Sequence, residues 1–454
     1  MTKITSLLLT LLIVASCTSQ QKEQKPPIEQ EKQALADEVK AAFVHTWDGY
    51  KEYAWGHDDL KPISNSYSDW YGESLLMTPV DAFDTMVLMG LDEQAEEAKE
   101  LIFEELSFDK DLSVQNFEIT IRLFGGLLAA YQFDGDERFL ELAEDLGNRL
   151  LPAFDSPTGM PYVMVNLKTG ETSGSINNPA EIGTLMLEFG TLSKLTGNPD
   201  YYDKAKKAMV ELYNRRSDIG LVGTLIDVES GEWTDTSSHI SGRIDSYYEY
   251  LLKAYVLFED EDFKEMYDES IKAVNKYLVD RTDTGTWYGY ADMNTGERSR
   301  TVYGALDAFM PGMLVMGGQV DLAREVQESN FKMWQMHDIE PEAIDYTTME
   351  VEHPAYLLRP ENIESAFYLY RETGEAKYLE MGKTMFQSLV EYCKTESGFA
   401  ELADVRTKEK NDAMHSFFLA ETLKYSYLLF APESTLDLDE YVFNTEAHPL
   451  TKTW

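Results

Sequence analysis

Four stretches of this chain repeat one design. They are FEITIRLFGGLLAAYQFDGDERFLELAEDLGNRL from Phe117, AEIGTLMLEFGTLSKLTGNPDYYDKAKKAMVELY from Ala180, RIDSYYEYLLKAYVLFEDEDFKEMYDESIKAVNKYL from Arg243 and PENIESAFYLYRETGEAKYLEMGKTMFQSLVEYC from Pro360. Each opens with an acid at the head of an apolar helix pattern, turns at glycine or acidic residues, and continues into a charged amphipathic helix. Weaker copies start near Val80 and Leu306. A last apolar helix, MHSFFLAETLKYSYLLF, starts at Met414, and an unpaired early one covers roughly residues 34–54. A helix pair of this kind cannot bury its apolar face alone, so copies must stack. The first member of each pair is too apolar for an outer layer and fits an inner ring, with the charged members outside. The expected fold is therefore all-α: an (αα)7 barrel, in which the early helix completes the last pair and closes a ring that would otherwise be an open solenoid.

A second period runs through the connectors. NLKTGE (166–171), DVESGE (227–232) and DMNTGE (292–297) each place Ser or Thr and then Gly between short β-prone runs, which reads as a hairpin. These hairpins lie between an outer helix and the next inner one, so they crowd the end of the barrel that holds the inner-helix N-termini. That end also holds the leading acids Glu118, Glu181, Asp245, Asp307 and Glu361, which recur at intervals of roughly sixty residues. At the C-terminus, VFNTEAHPL (442–450) is too apolar for a solvated tail, and a hairpin there is expected to plug the barrel from below.

Glu118, Glu181, Asp245 and Glu361 are expected to face one cup. Any single acid at a helix N-terminus is explained by the helix dipole. Four in one register, three of them beside Arg122, Arg243 or Arg359, call for more. Glu361 and Glu364, three apart in LLRPENIESAF, repel unless something cationic or protonated lies near. Paired carboxylates in a cup lined with aromatics suit glycoside hydrolysis: one protonates the leaving oxygen while another activates water or attacks the sugar. The chain is rich in rings, with 27 Tyr, 21 Phe and 7 Trp. Trp47, Trp55, Trp70, Trp233, Trp287, Phe309 and Phe417 could offer sugar platforms, with the loop-borne Trp233 and Trp287, near the hairpins, preferred. Thr445 and Glu446 are hard oxygen donors suited to Ca2+ rather than zinc, and His448 reads as a hydrogen-bonding partner. No HxxxH or HExxH pairing, GxGxxG, GxxxxGK[ST] or GxSxG motif occurs.

The net charge of −42 disfavours nucleic acid and anionic membranes as partners. Residues 1–17, with Lys3, the apolar LLLTLLIV and VASC, resemble a bacterial lipoprotein signal that leaves Cys17 as the lipidated first residue. Residues 18–33 read as a polar tether and 34–454 as one catalytic barrel. The expectation is a monomer in a bacterial cell envelope, lipid-anchored, with a preference for the outer membrane. Cys393 is the only other cysteine, so no intramolecular disulfide can form once Cys17 is lipidated.

FEITIRLFGGLLAAY, RIDSYYEYLLKAY, AFMPG, LLRPENIESAFYLYRETG, SFFLAETLKYSYLLF and VFNTEAHPL together resemble glycoside hydrolase family 47, the class I α-1,2-mannosidases, from about Phe43 to the C-terminus. The resemblance implies an inverting exo-α-1,2-mannosidase with one catalytic Ca2+, acting on α-1,2-mannose-containing glycans. By that resemblance Glu118 is the general acid, acting through a water. Glu361 is the base, and Asp245 is a third essential carboxylate and rival acid. Thr445 binds the metal directly, Glu364, Glu421 and Glu446 hold its waters and the sugar hydroxyls, and Arg122, Glu181, Arg359 and Phe417 touch substrate. Ala305 in YGALDAFMPG departs from the family's eukaryotic members, which carry a histidine there. A mannose-binding lectin on the same scaffold, or another α/α-barrel enzyme, are the alternatives.

Overall fold

The computed structural model describes residues 28–452. The signal read over 1–17, Cys17 and the first part of the tether lie outside the described residues. The chain runs α1 (Ile28–Tyr53), α2 (Met77–Met89), α3 (Asp92–Glu105), α4 (116–134), α5 (Glu137–Leu150), α6 (179–196, interrupted at 184 and 185) and α7 (Pro199–Tyr213). It continues α8 (Asp245–Phe258), α9 (Glu261–Tyr277), α10 (306–316), α11 (Val320–Gln335), α12 (Glu361–Thr373), α13 (Ala376–Tyr392) and α14 (418–430). Even-numbered helices form the inner ring and odd-numbered ones the outer. α1 packs on α14, and α14 meets α2, so the ring of seven pairs closes. One boundary differs from expectation: α1 begins at Ile28, so residues 28–33, read as tether, are helical. Their polarity is that of an outer helix, with Glu29 and Glu31 in the first turn where they complement the dipole.

The two rings differ in burial as the patterns require. α9 buries Phe263, Met266, Tyr267, Ser270, Ile271 and Val274, one stripe at helical spacing. α8 instead buries every residue from Ser246 to Ala254. Three of the inner-to-outer turns share one construction. The inner helix ends on a left-handed residue, Gly135, Gly197 or Glu259, and the next residue, Asp136, Asn198 or Asp260, caps the outer helix with its side chain.

The other turns, outer to inner, build the mouth. The strand leading into four of the inner helices pairs with the hairpin of the following repeat: Ser113–Gln115 with 164–173, Ile176–Asn177 with 225–235, Ser237–Ser238 with 290–300, and Val302–Gly304 with 343–353. Tyr356, before α12, bridges Leu402 of the hairpin 402–410 in the same way. These five pairings clasp successive repeats together around the rim. The opposite end is entered by the C-terminal hairpin, Tyr441–Phe443 paired with Pro449–Thr451. Gly125 and Gly126 of α4 admit it: a Cβ on Gly125 would stand 2.5 Å from the Asn444 side chain, and one on Gly126 3.2 Å from the His448 ring.

Candidate active site

The eleven side chains to which the resemblance assigns roles, together with Arg243 and Phe309, line one cavity of about 270 Å³ at the mouth. α4 supplies Glu118 and Arg122, α6 Glu181, α8 Asp245, and α12 Glu361 and Glu364. Arg359 precedes α12, Phe417 and Glu421 come from the start of α14, and Thr445 and Glu446 rise from below on the C-terminal loop. Two inner helices are locally widened where they present these groups. Residues Thr120–Phe124, with Arg122, form a π turn, as do Phe418–Thr422, with Glu421. Such turns swing a side chain off the regular helical face and concentrate at functional sites.

Arg122 organises one wall. Its Nε donates to Glu118 Oε2 at 3.0 Å, with Nη2 2.9 Å from the same oxygen; Nη1 meets Glu446, and Asp81 lies 3.8 Å away. Burial alone would lower its pKa, but Glu446, Glu118 and Asp81 outweigh burial and raise it, so the guanidinium is permanently charged. It stacks between Trp70 and Phe417, 5.1 and 5.7 Å from their ring centres. On the opposite wall Arg359 is held by Glu342 at 3.0 and 3.1 Å and also faces Phe417. Glu181 is oriented by Gln115 and Asn178 at 3.0 and 2.9 Å.

Asp245 and Glu361 have no ion-pair partner among the described residues. Burial, with Glu249 and Glu361 nearby, pushes Asp245 up to about 8. Burial also lifts Glu361 to about 7 against the pull of Arg359, and its Oε2 has no hydrogen-bond partner. Glu364, hydrogen-bonded by Tyr425 at 3.1 Å, rises to about 8 through burial. Glu421 and Glu446 are raised as well, again chiefly by burial. A cup with so many uncompensated carboxyls favours a cation or bound protons.

The donor set fits a hard cation. Thr445 Oγ1 donates to Glu249 at 3.0 Å, and the Thr445 carbonyl accepts no hydrogen bond among the described residues. No three His, Cys, Asp or Glu side chains converge as direct ligands among the described residues. The arrangement therefore suits an ion held directly by the two Thr445 oxygens and otherwise through water, with carboxylates around it, as Ca2+ accepts.

Some expectations fail. Trp287 is fully buried against Tyr303 and Tyr346, and Trp233 donates its indole N–H to the Arg215 carbonyl; neither lines the cavity. Their hairpins lean on outer helices, so these rings serve as packing. Trp47 is core, whereas Phe309 and Phe417 do face the cavity. Glu249 was not singled out, although its position four residues after Asp245 puts both on one helical face. Gln115 and Asn178 offered no signal beyond preceding an inner helix.

A family model described as glycosyl hydrolase family 47 matches residues 42–452. The chain is 38% identical over 452 residues to an alpha-mannosidase I of Arabidopsis thaliana, covering 93% of this chain and 78% of that protein. It is 38% identical over 437 residues to a mannosyl-oligosaccharide 1,2-alpha-mannosidase of the same plant, covering 91% and 78%. Among solved structures, the alpha-1,2-mannosidase from Trichoderma reesei superposes with a TM-score of 0.86 at 31% identity, over 93% of this chain and 99% of that one.

Proposed function

The chain belongs to glycosyl hydrolase family 47 and is a glycoside hydrolase; on that premise we propose that it is an inverting, Ca2+-dependent exo-α-1,2-mannosidase that releases terminal mannose from oligosaccharides or high-mannose N-glycans. The observation that carries this is the convergence of Glu118, Asp245 and Glu361, from three separate inner helices, on one cavity that Thr445 also lines.

Inversion needs the acid and the base on opposite sides of the sugar, far enough apart to admit a water. Glu118 on α4 and Glu361 on α12 provide separate supports for the two roles. Glu361, unpartnered at one oxygen and lifted to about 7, takes a proton from the attacking water. Glu118 delivers a proton to the leaving oxygen through a water, with Arg122 fixing its carboxylate. Asp245, at about 8, holds a proton at neutral pH and is the rival donor. Glu181, Arg359, Phe417 and Phe309 bind and orient the sugars. Thr445 would hold the Ca2+ directly, with Glu364, Glu421 and Glu446 around its waters. That ion supplies positive charge against the cup and a fixed point for vicinal hydroxyls.

The test is mannose release from an α-1,2-linked mannobiose. Activity should vanish with a chelator, return with Ca2+, and fall at least about a thousandfold in Glu361→Gln with binding retained. Metal-loaded protein with no turnover on any α-1,2 substrate defeats the proposal.

The cellular setting is proposed on the same terms. α1 starts at the plugged end: Lys32 reaches Tyr370 near the end of α12, and Lys40 reaches the carbonyl of Met89 at the end of α2. A lipid anchor at Cys17 of a bacterial envelope protein would therefore join the barrel at the end opposite the cavity.

A further inference from the structure

Two lysines lie wholly inside the barrel. Lys253 on α8 is 1% exposed and Lys424 on α14 is 0% exposed. Buried lysines are uncommon, because an ammonium loses its hydration unless it is paired. α8 and α14 face each other across the inner ring, and both lysines reach inward to one short segment, the loop between the strands of the C-terminal hairpin. Lys253 Nζ donates to the Asn444 carbonyl at 3.4 Å, and Lys424 Nζ donates to the Ala447 carbonyl at 2.5 Å. Each is tied to a helical carboxylate, Lys253 to Glu249 on its own helix and Lys424 to Asp84 of α2 at 2.5 Å.

The rest of the loop is tied inward as well. The Asn444 side chain donates to the Ile121 carbonyl and to Glu188, and its oxygen receives the N–H groups of Glu446 and His448. The His448 ring lies between Asp81 and Asp84 at 3.0 and 2.5 Å. Ala447 takes a left-handed conformation, φ 59°. Within this clamp Thr445 lines the cavity beside Glu446; its N–H donates to Tyr250 and its Oγ1 to Glu249, while its carbonyl accepts no hydrogen bond among the described residues. The carbonyls on either side of Thr445 and Glu446 are drawn to lysines.

We propose that Lys253 and Lys424 are positioning residues for the cation site: they pin the Asn444 and Ala447 carbonyls against the inner helices, so that Thr445 presents its oxygens to the cavity already arranged. The inference rests on the reading that Thr445 carries the Ca2+. Neither lysine touches substrate in this scheme.

Electrostatics alone makes the opposite forecast, which gives the test its sign. Deleting a buried cation beside a carboxylate cup leaves more negative charge and should tighten a divalent ion. Loss of positioning should weaken it. The experiment titrates Ca2+ alone into chelator-stripped full-length protein by calorimetry, for the parent and for Lys253→Met, Lys424→Met and Lys253→Arg. Hydrogen exchange is followed at residues 444–448 in the same samples. The expected result is Ca2+ affinity at least tenfold weaker in each Met variant, with faster exchange in the loop, and partial recovery in Lys253→Arg. Should a Met variant fail to fold, Lys253→Gln, neutral but still able to donate to the Asn444 carbonyl, carries the readout and should bind Ca2+ within about threefold of the parent. Unchanged or tighter Ca2+ binding in a folded Met variant overturns the proposal, as does Lys253→Gln as weak as Lys253→Met. A parent protein that binds no Ca2+ overturns the underlying reading of Thr445 instead.

Discussion

Glu118 and Asp245 reach the same cavity from different surroundings, and the difference bears on which donates the proton. Glu118 accepts a hydrogen bond from Arg122 Nε at 3.0 Å and lies 2.9 Å from Nη2 of the same guanidinium. Asp245 is buried, receives the Ser246 N–H and has no cation against it. Replacing the leaving group separates them, because fluoride needs far less proton assistance than a sugar alkoxide. If Glu118 controls delivery, Glu118→Gln should lose about a hundredfold to ten-thousandfold on mannobiose yet stay within about tenfold of the parent on α-mannosyl fluoride. Asp245→Asn should then lose activity on both. The reverse pattern assigns the acid to Asp245. At this scale the sequence was most legible where a residue stood at a helix head next to arginine, as Glu118 and Glu361 do. It was least legible for Glu249 and Lys253, deep in α8, where an acid and a lysine four apart look like an ordinary surface pair. Only the ring closing around α8 makes that pair internal. The tryptophans misled for a related reason: a ring in a hairpin has an outer helix beneath it as well as solvent above it.

The hairpins show what a turn motif can and cannot disclose. Three were recognised through glycine, but two more share the construction: DYTTME (345–350) and DVRTKE (404–409). In all five an Asp or Asn side chain accepts the N–H two residues on, a Ser or Thr hydroxyl accepts the N–H of the closing Glu, and the residue between is left-handed. In the last two that residue is Met349 or Lys408, at φ 59° and 61°, so a search keyed to glycine passes over them. The π turns in α4 and α14 left no sequence signal, since apolar periodicity tolerates one extra residue per turn. The shared turn gives a graded prediction. Gly170→Ala meets only the Pro152 ring at 3.3 Å and should cost about 1 kcal/mol, the backbone penalty alone. Gly296→Ala brings a Cβ to 2.3 Å from the Tyr277 ring and should cost roughly 2–3 kcal/mol. Denaturant unfolding of both variants measures the order, and equal losses would contradict the packing account.

For the whole molecule, closing the ring both builds the cup and strains it. An inner ring of seven helices brings their N-termini together, so acids that each suit a helix dipole crowd one another once assembled. The seven-pair count, the inner and outer assignment and the plugging hairpin all followed from apolar periodicity, because that pattern records burial directly. The cost of crowding the acids is absent from any local pattern, yet it sets how stability should respond to pH. Asp245 and Glu364 at about 8, with Glu361 and Glu188 at about 7, bind protons more tightly in the folded chain than in the unfolded one, where carboxyls titrate near 4. Between about pH 4 and pH 8 the folded state therefore holds more protons, and stability falls as pH rises. His448 acts in the same direction. Burial lowers its pKa, but Asp84 and Asp81 outweigh burial and raise it, so its contribution is fully present below about 6.5 and is lost as pH passes the folded value. Self-repulsion in a chain of net charge −42 adds to the trend. Chelator-stripped protein should thus melt several degrees lower at pH 8 than at pH 5.5. Ca2+ should restore most of that difference, and more at pH 8 than at pH 5.5, because ion and protons compete for the same carboxyls. Scanning calorimetry at the two pH values, with and without Ca2+, checks this. A metal-free melting temperature that rises toward pH 8, or a Ca2+ effect larger at pH 5.5, would mean that these carboxyls are compensated by something other than the bound ion.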